Sequence, residues 1–198
     1  DVALLDIHDD KAEKFCNQLM DQREIKPKHG RVIAIKADLT KPMEIKDSVG
    51  RIVQSLGGVD ILVDAQLWNE PTPINIDQQV DEKTLEMIEQ MLTKNMKSSL
   101  LLTQTVVGYL KSRKKGRIVY LMNDSAMKAL PIDAFQNAVR SGLVSYSQSL
   151  AKQLQEHNVT VNVLSLGVTE EYLLGHYPNT NIKDALQMHK TFDHFARI

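Results

Sequence analysis

Short apolar runs alternate with stretches of helical period along most of this chain, and no other feature narrows the fold as much. Residues 2–5 form an apolar run closed by Asp6, which reads as a buried strand. From Lys11 onward Ala12, Phe15, Cys16, Leu19 and Met20 recur at helical spacing, with Asp9 or Asp10 as N-cap. Residues 31–37 alternate around Val32, Ile33 and Ile35 as a second strand, ended by Asp38-Leu39. A helix follows Pro42, marked by Ile45, Val49, Ile52, Val53 and Leu56, and stops at Gly57-Gly58. Residues 59–63 make a third strand and 116–122 a fourth, with a long helical stretch over 81–113 between them, interrupted near 93–95. The helix of residues 135–155 carries Val139, Leu143, Tyr146, Leu150 and Leu154 on one stripe, and residues 160–164 are a fifth strand. Residues 23–30 and 64–80 read as connections, and 167–198 as loop with a helix around 182–189. This alternation predicts an α/β fold, a Rossmann-like doubly wound parallel sheet.

A length of 198 residues suits one domain, 1–198, and no internal repeat divides it. The formal net charge of −1 offers no footprint for nucleic acid or anionic lipid, and no apolar run is long enough to cross a membrane. The basic cluster at 111–117 ends a helical pattern, where it compensates the helix's negative end. A single cysteine, Cys16, cannot form an internal disulfide, and its place on an apolar helix face points to a packed thiol in the cytoplasm or another reducing compartment. The six histidines are scattered, and no Cys/His cluster has metal-ligand spacing.

The chemistry concentrates in residues 116–140, GRIVYLMNDSAMKALPIDAFQNAVR. An apolar strand ends in Asn123-Asp124-Ser125, and a helix opens near Asp133 or Phe135. Open α/β sheets place their sites at such carboxyl strand ends. Several segments in order carry a resemblance: VALLDIHDDKAEKF, KADL, GGVDILVDAQ, NMKSSLLLTQ, GRIVYLMNDS, SYSQSLAKQL and VTVNVLSLGV. Together they resemble the short-chain dehydrogenase/reductase family over nearly the whole chain. In that family a strand and a glycine-rich, pyrophosphate-binding turn precede the first of these segments, and a helix and strand follow the last. The resemblance implies that the first two strands here lack their common neighbour with the third. A sheet split at its centre is expected, along with a functional polypeptide longer than 198 residues or completed by a partner.

The resemblance also implies a catalytic tetrad of Asn, Ser, Tyr and Lys. Aligned on these segments, the four positions are Asn95, Asn123, Gln136 and Arg140, so three of the four residue types are changed. A Gln amide has no proton to exchange near neutral pH, and a general acid–base is typically worth ~10²–10⁴ in rate. Arg140 stays charged, but its planar fork differs in reach from an ammonium. Ser125 is the candidate replacement hydroxyl; Tyr146 lies about 15 Å along the helix from Gln136, and Tyr120 has the opposite strand parity to Asn123. On the cofactor side, Asp6 matches the acidic residue that binds the adenosine ribose and favours NAD over NADP, and Asp38 and Leu39 match an adenine contact. The family's Asn-Asn-Ala-Gly turn reads Asp64-Ala65-Gln66-Leu67, and the Thr facing the nicotinamide amide reads Glu171, so NAD binding is expected to be weak or absent.

These residues predict a catalytically degenerate member with a structural or regulatory role. The alternatives are a protein that holds NAD(H) without turnover, and an active NAD-dependent oxidoreductase whose rearranged site uses Ser125. The family's subunits pack through the helices matching 95–113 and 135–155, so a homo- or hetero-oligomer is expected there, with Leu100, Leu101, Val106, Val107, Val139 and Leu143 compatible with the contact. Met87, Met91 and Met96 fit a helix face as core or interface residues.

Overall fold

The computed structural model describes residues 1–21, 30–66, 81–123, 134–166, 181, 183 and 184. Strand β1 (Val2–Asp6) leads through α1 (Asp9–Asp21) to β2 (Val32–Lys36), its parallel partner. The helix α2 (Pro42–Leu56) begins on a proline, whose missing N–H is no loss in a first turn, and ends where Gly57 adopts φ 85° and donates its N–H to the Val53 carbonyl. Strand β3 (Ile61–Asp64) then leads to α3 (Glu82–Met91), which Asp81 caps by accepting the Thr84 N–H. A π-helical turn (Leu92–Lys97) passes directly into α4 (Ser98–Arg113), at the interruption anticipated near 93–95. Strand β4 (Arg117–Asn123), helix α5 (Ala134–Leu154) and strand β5 (Thr160–Leu166) complete the described elements.

All strand pairs are parallel, but the sheet is in two pieces: β1-β2, and β3-β4-β5. The break falls between β1 and β3, where the sequence placed it. Strand β3 starts at Ile61 rather than at residue 59, because Gly58, at φ 149°, still belongs to the turn. Strand β5 runs on to Leu166, since Asn123 on β4 remains paired with it.

One face of the three-stranded piece holds the core. Ile118, Tyr120 and Met122 point the same way on β4 and pack with Leu62, Leu102, Val106, Leu110, Leu143, Leu150 and Leu154, all of them buried. Helices α2, α4 and α5 therefore cover that face, with Ile45 and Val49 contributed by α2. The opposite parity stays open: Ile61, Val63 and Leu164 are large, apolar and exposed. Cys16 is buried on α1 as a packed thiol, and burial pushes its pKa up. From the basic cluster, Arg113 donates to the Gly57 carbonyl at 2.7 Å and lies beside Asp60, stitching α4 to the turn before β3. No described helix is long and apolar enough to cross a membrane. The anticipated helix at 182–189 lies outside the described residues except for 183 and 184, as do His189 and His194.

Candidate functional site

Helix α5 packs on β5 and on the π-helical turn, and α4 packs on β3, with Gln66 just past β3 donating through Nε2 to Ser99 Oγ at 3.5 Å. Asn95 sits within the π-turn, 95% buried, and donates through Nδ2 to the Met91 carbonyl at 3.3 Å. The turn shifts the backbone register, so Ser98 donates its N–H to Thr93, and Ser99 Oγ bonds the Asn95 carbonyl at 3.0 Å. Single π-turns within α-helices frequently mark functional sites. On α5, Gln136 and Arg140 lie one turn apart on the buried stripe, 7% and 6% exposed, and each makes at least one polar or electrostatic interaction.

The π-turn and α5 are held together by a second apolar cluster. Met91 and Val139 are buried, with Met87, Ile88, Met96 and Phe135 against them, which makes the three methionines packing residues. A Cβ on Gly142 would stand 3.2 Å from Met96 Cε, so a glycine lets the two elements approach closely here. The structure thus brings the Asn95 turn onto the helix that presents Gln136 and Arg140. Asn123 closes β4, its backbone in register with Leu166. Ser125, Leu67, Gly167 and Glu171 lie outside the described residues.

Tyr120 and Tyr146 are structural. Tyr120 is buried, and its hydroxyl shares a 2.6 Å hydrogen bond with Thr103. Burial pushes its pKa far up, with Tyr146 and the Asp64 carboxylate adding to the shift against a partial opposing effect from Thr103. Tyr146 stacks on it edge-on, at 6.4 Å between centroids, and burial raises its pKa too. Neither is placed or tuned to move a proton near neutral pH.

Asp64, the first residue of the Asp64-Ala65-Gln66-Leu67 turn, is buried, which its place in that turn does not imply. It ends β3 on the core-facing parity, 4% exposed, and Oδ1 accepts from the Gln66 N–H and Nε2, both at 3.1 Å. Its Oδ2 has no hydrogen-bond partner. A charged residue at an alternate position of an apolar strand was the available signal.

Among the cofactor positions, Asp6 is exposed at the end of β1, with Oδ1 accepting the His8 N–H at 2.8 Å. Asp38 is engaged at the entry of α2: Oδ1 accepts from the Thr40 N–H and Oγ1, and Lys41 Nζ lies 3.5 Å from Oδ2. These contacts, Thr40 first, hold its carboxyl below the usual value. Leu39 packs against the core. Among the described residues no group of three or more His, Cys, Asp or Glu could hold a metal ion.

A parallel α/β domain with polar groups gathered at the carboxyl edge of its sheet defines a dinucleotide-binding type of architecture. The family model for short chain dehydrogenases matches residues 1–180, and the chain belongs to that family. It is 25% identical over 138 residues to D-beta-hydroxybutyrate dehydrogenase of Rhizobium meliloti, covering 70% of this chain and 51% of that protein. It is 24% identical over 182 residues to the (S)-acetoin-forming diacetyl reductase of Staphylococcus epidermidis, covering 88% and 67%. Its fold superimposes on 3-ketoacyl-(acyl-carrier-protein) reductase from Brucella melitensis, complexed with NADH, with a TM-score of 0.71 at 21% identity, covering 85% and 65%. The chain thus spans about half the length of the first protein and about two thirds of the other two.

These relatives correct one expectation. They are named dehydrogenases and reductases, which favours an active oxidoreductase over the degenerate subunit inferred from Asn123, Gln136 and Arg140. The physical reason is that those changes remove a titrating phenol but leave hydrogen-bond donors and a fixed positive charge on the helix facing Asn95.

Proposed function

We propose that this chain forms part of an oxidoreductase that interconverts an alcohol and its carbonyl compound with a nicotinamide dinucleotide, NAD rather than NADP. The observation that carries the reading is the Asn95 π-turn packed onto the buried Gln136–Arg140 stripe of α5, in a chain whose relatives are named dehydrogenases and reductases. The residues present fit the adenosine end of the cofactor. Asp6 offers an exposed carboxylate at the end of β1 for the ribose hydroxyls, and Asp38 and Leu39 flank the adenine at the end of β2. A carboxylate at that position repels a ribose phosphate, hence NAD. When bound, the cofactor supplies or accepts the hydride. Ser125 and Asn123 hold the substrate oxygen, Gln136 and Arg140 orient it, and Asn95 fixes the turn behind them.

The subunit contact expected along residues 95–113 and 135–155 has less free apolar surface than the sequence suggests. Val106, Val139 and Leu143 are consumed by the chain's own core, which leaves the half-buried Leu100, Leu101 and Val107 for a second subunit.

Calorimetric titration of the full-length protein with NAD and NADH tests the reading. Micromolar binding that falls at least tenfold in Asp6→Ala, with unchanged circular dichroism, supports it. Absence of binding overturns it. Turnover of a ketone that Ser125→Ala abolishes would assign the hydroxyl.

A further inference from the structure

Gln136 poses a problem that the proposed activity does not solve. A carbonyl reduced to an alcohol gains a hydride on carbon and a proton on oxygen, and the residue at this position has no proton to give. The buried tyrosines do not replace it: Tyr120 is tied to Thr103, and Tyr146 packs on Tyr120. What α5 does present is a neutral amide followed, one turn later, by a guanidinium, both more than nine-tenths buried, on a helix that packs against the Asn95 turn through Val139 and Met96. An amide N–H and a guanidinium are donors in every protonation state reached near neutral pH. Removed from water, a fixed cation stabilises developing negative charge far more than at the surface, and does so without reorganising.

We propose that Gln136 and Arg140 form a non-titrating oxyanion cradle, so that reduction at this site is charge-stabilised and not acid-catalysed. The step rests on the oxidoreductase reading above, with the reduced nicotinamide as the electron source. The carbonyl carbon takes the hydride and its two electrons, and the carbon–oxygen π pair moves onto oxygen. The alkoxide is held by the Arg140 guanidinium and the Gln136 amide N–H, and then takes its proton from water, releasing hydroxide to the solvent. In the reverse direction hydroxide removes the alcohol proton before hydride leaves. Reduction is therefore insensitive to pH across the neutral range, while oxidation climbs with pH in proportion to hydroxide.

The cradle is tested without turnover by two isosteric probes that differ in charge. Isobutyrate presents an anionic oxygen, and isobutyramide a neutral one of the same shape. In the full-length protein saturated with NADH, calorimetry should show isobutyrate bound at least tenfold more tightly than isobutyramide. Arg140→Met should erase the preference and Arg140→Lys should retain part of it, each with wild-type circular dichroism. If Arg140→Met does not fold, Gln136→Leu carries the test, with a several-fold loss for isobutyrate. A second readout is the pH profile of ketone reduction, flat in the wild type and acquiring a titrating limb in Gln136→Tyr. Equal affinities for the two probes, a preference that survives Arg140→Met, or a wild-type profile with a titrating limb would each overturn the cradle. A protein that binds no NADH overturns the oxidoreductase reading, and the cradle with it.

Discussion

Thr103 and Tyr120 show how single residues settle which groups are structural. Their shared hydrogen bond is buried between α4 and β4, so neither hydroxyl can turn to water. Thr103→Val strands the phenol and is expected to cost ~1–3 kcal/mol, read as a lower urea midpoint at unchanged m-value. Adding Tyr120→Phe in that background should recover most of the loss, since it removes the orphaned group. Asp64 makes the opposite case. One oxygen of its buried carboxylate lacks a partner, and burying an amide costs less than burying a charge. Asp64→Asn is expected to raise stability by about 1 kcal/mol, and an unchanged or lowered midpoint would refute that. Strand parity was enough to expect Tyr120 on the opposite face of β4 from Asn123. It could not say that Thr103, seventeen residues earlier, would meet the hydroxyl.

Among the elements, the entry of α2 has a pH signature. Asp38 is held below its usual value by Thr40 first and by Lys41 after it. A carboxylate with a depressed folded pKa contributes stability that is present above the unfolded value, 3.8, and is lost as pH falls through the lower folded value. The stability difference between wild type and Asp38→Asn should therefore be full well above the unfolded value of 3.8 and shrink as pH falls below it, by urea unfolding at each pH. At the start of β4, a Cβ on Gly116 would come within 2.7 Å of Leu110 Cβ and 3.0 Å of Val159 Cγ2. Gly116→Ala should cost about 1–3 kcal/mol as an overpacking change, seen as a lower thermal midpoint. Helix existence and both ends of α2 were legible because Pro42 and Gly57 act locally, whereas Asp9 and Asp10, read as the N-cap of α1, lie in its first turn, and the Asp81 cap was not read. Even the break near residue 93 showed in the pattern, but its identity as a π-turn did not, because a one-residue register shift leaves no distinct hydrophobic period.

Across the molecule, stability should be graded by the position of each strand. β4 is paired on both sides and covered by α4 and α5, whereas β3 has one paired edge and exposed Ile61 and Val63. Native-state hydrogen exchange should find the amides of 118–121 slowest, with those of β3 and β1 faster. Uniform protection would contradict the split sheet. The exposed apolar parity of β3 and β5 also predicts self-association that rises with concentration and is reduced by Val63→Lys, measured by light scattering.

The succession of strands and helices and their parallel pairing follow from the sequence, as matters of period and local punctuation, and the place where the sheet divides follows from the family resemblance that the order of its segments carries. The tertiary structure decided what is close to what. It packed the Asn95 turn against α5 through Met91, Met96 and Val139, buried Gln136 and Arg140 together, tied Asp38 to its own helix entry and left Asp64 half-partnered. Those relations join residues tens of positions apart, and a charge or a hydrogen bond acts over a few ångströms of space, not of sequence.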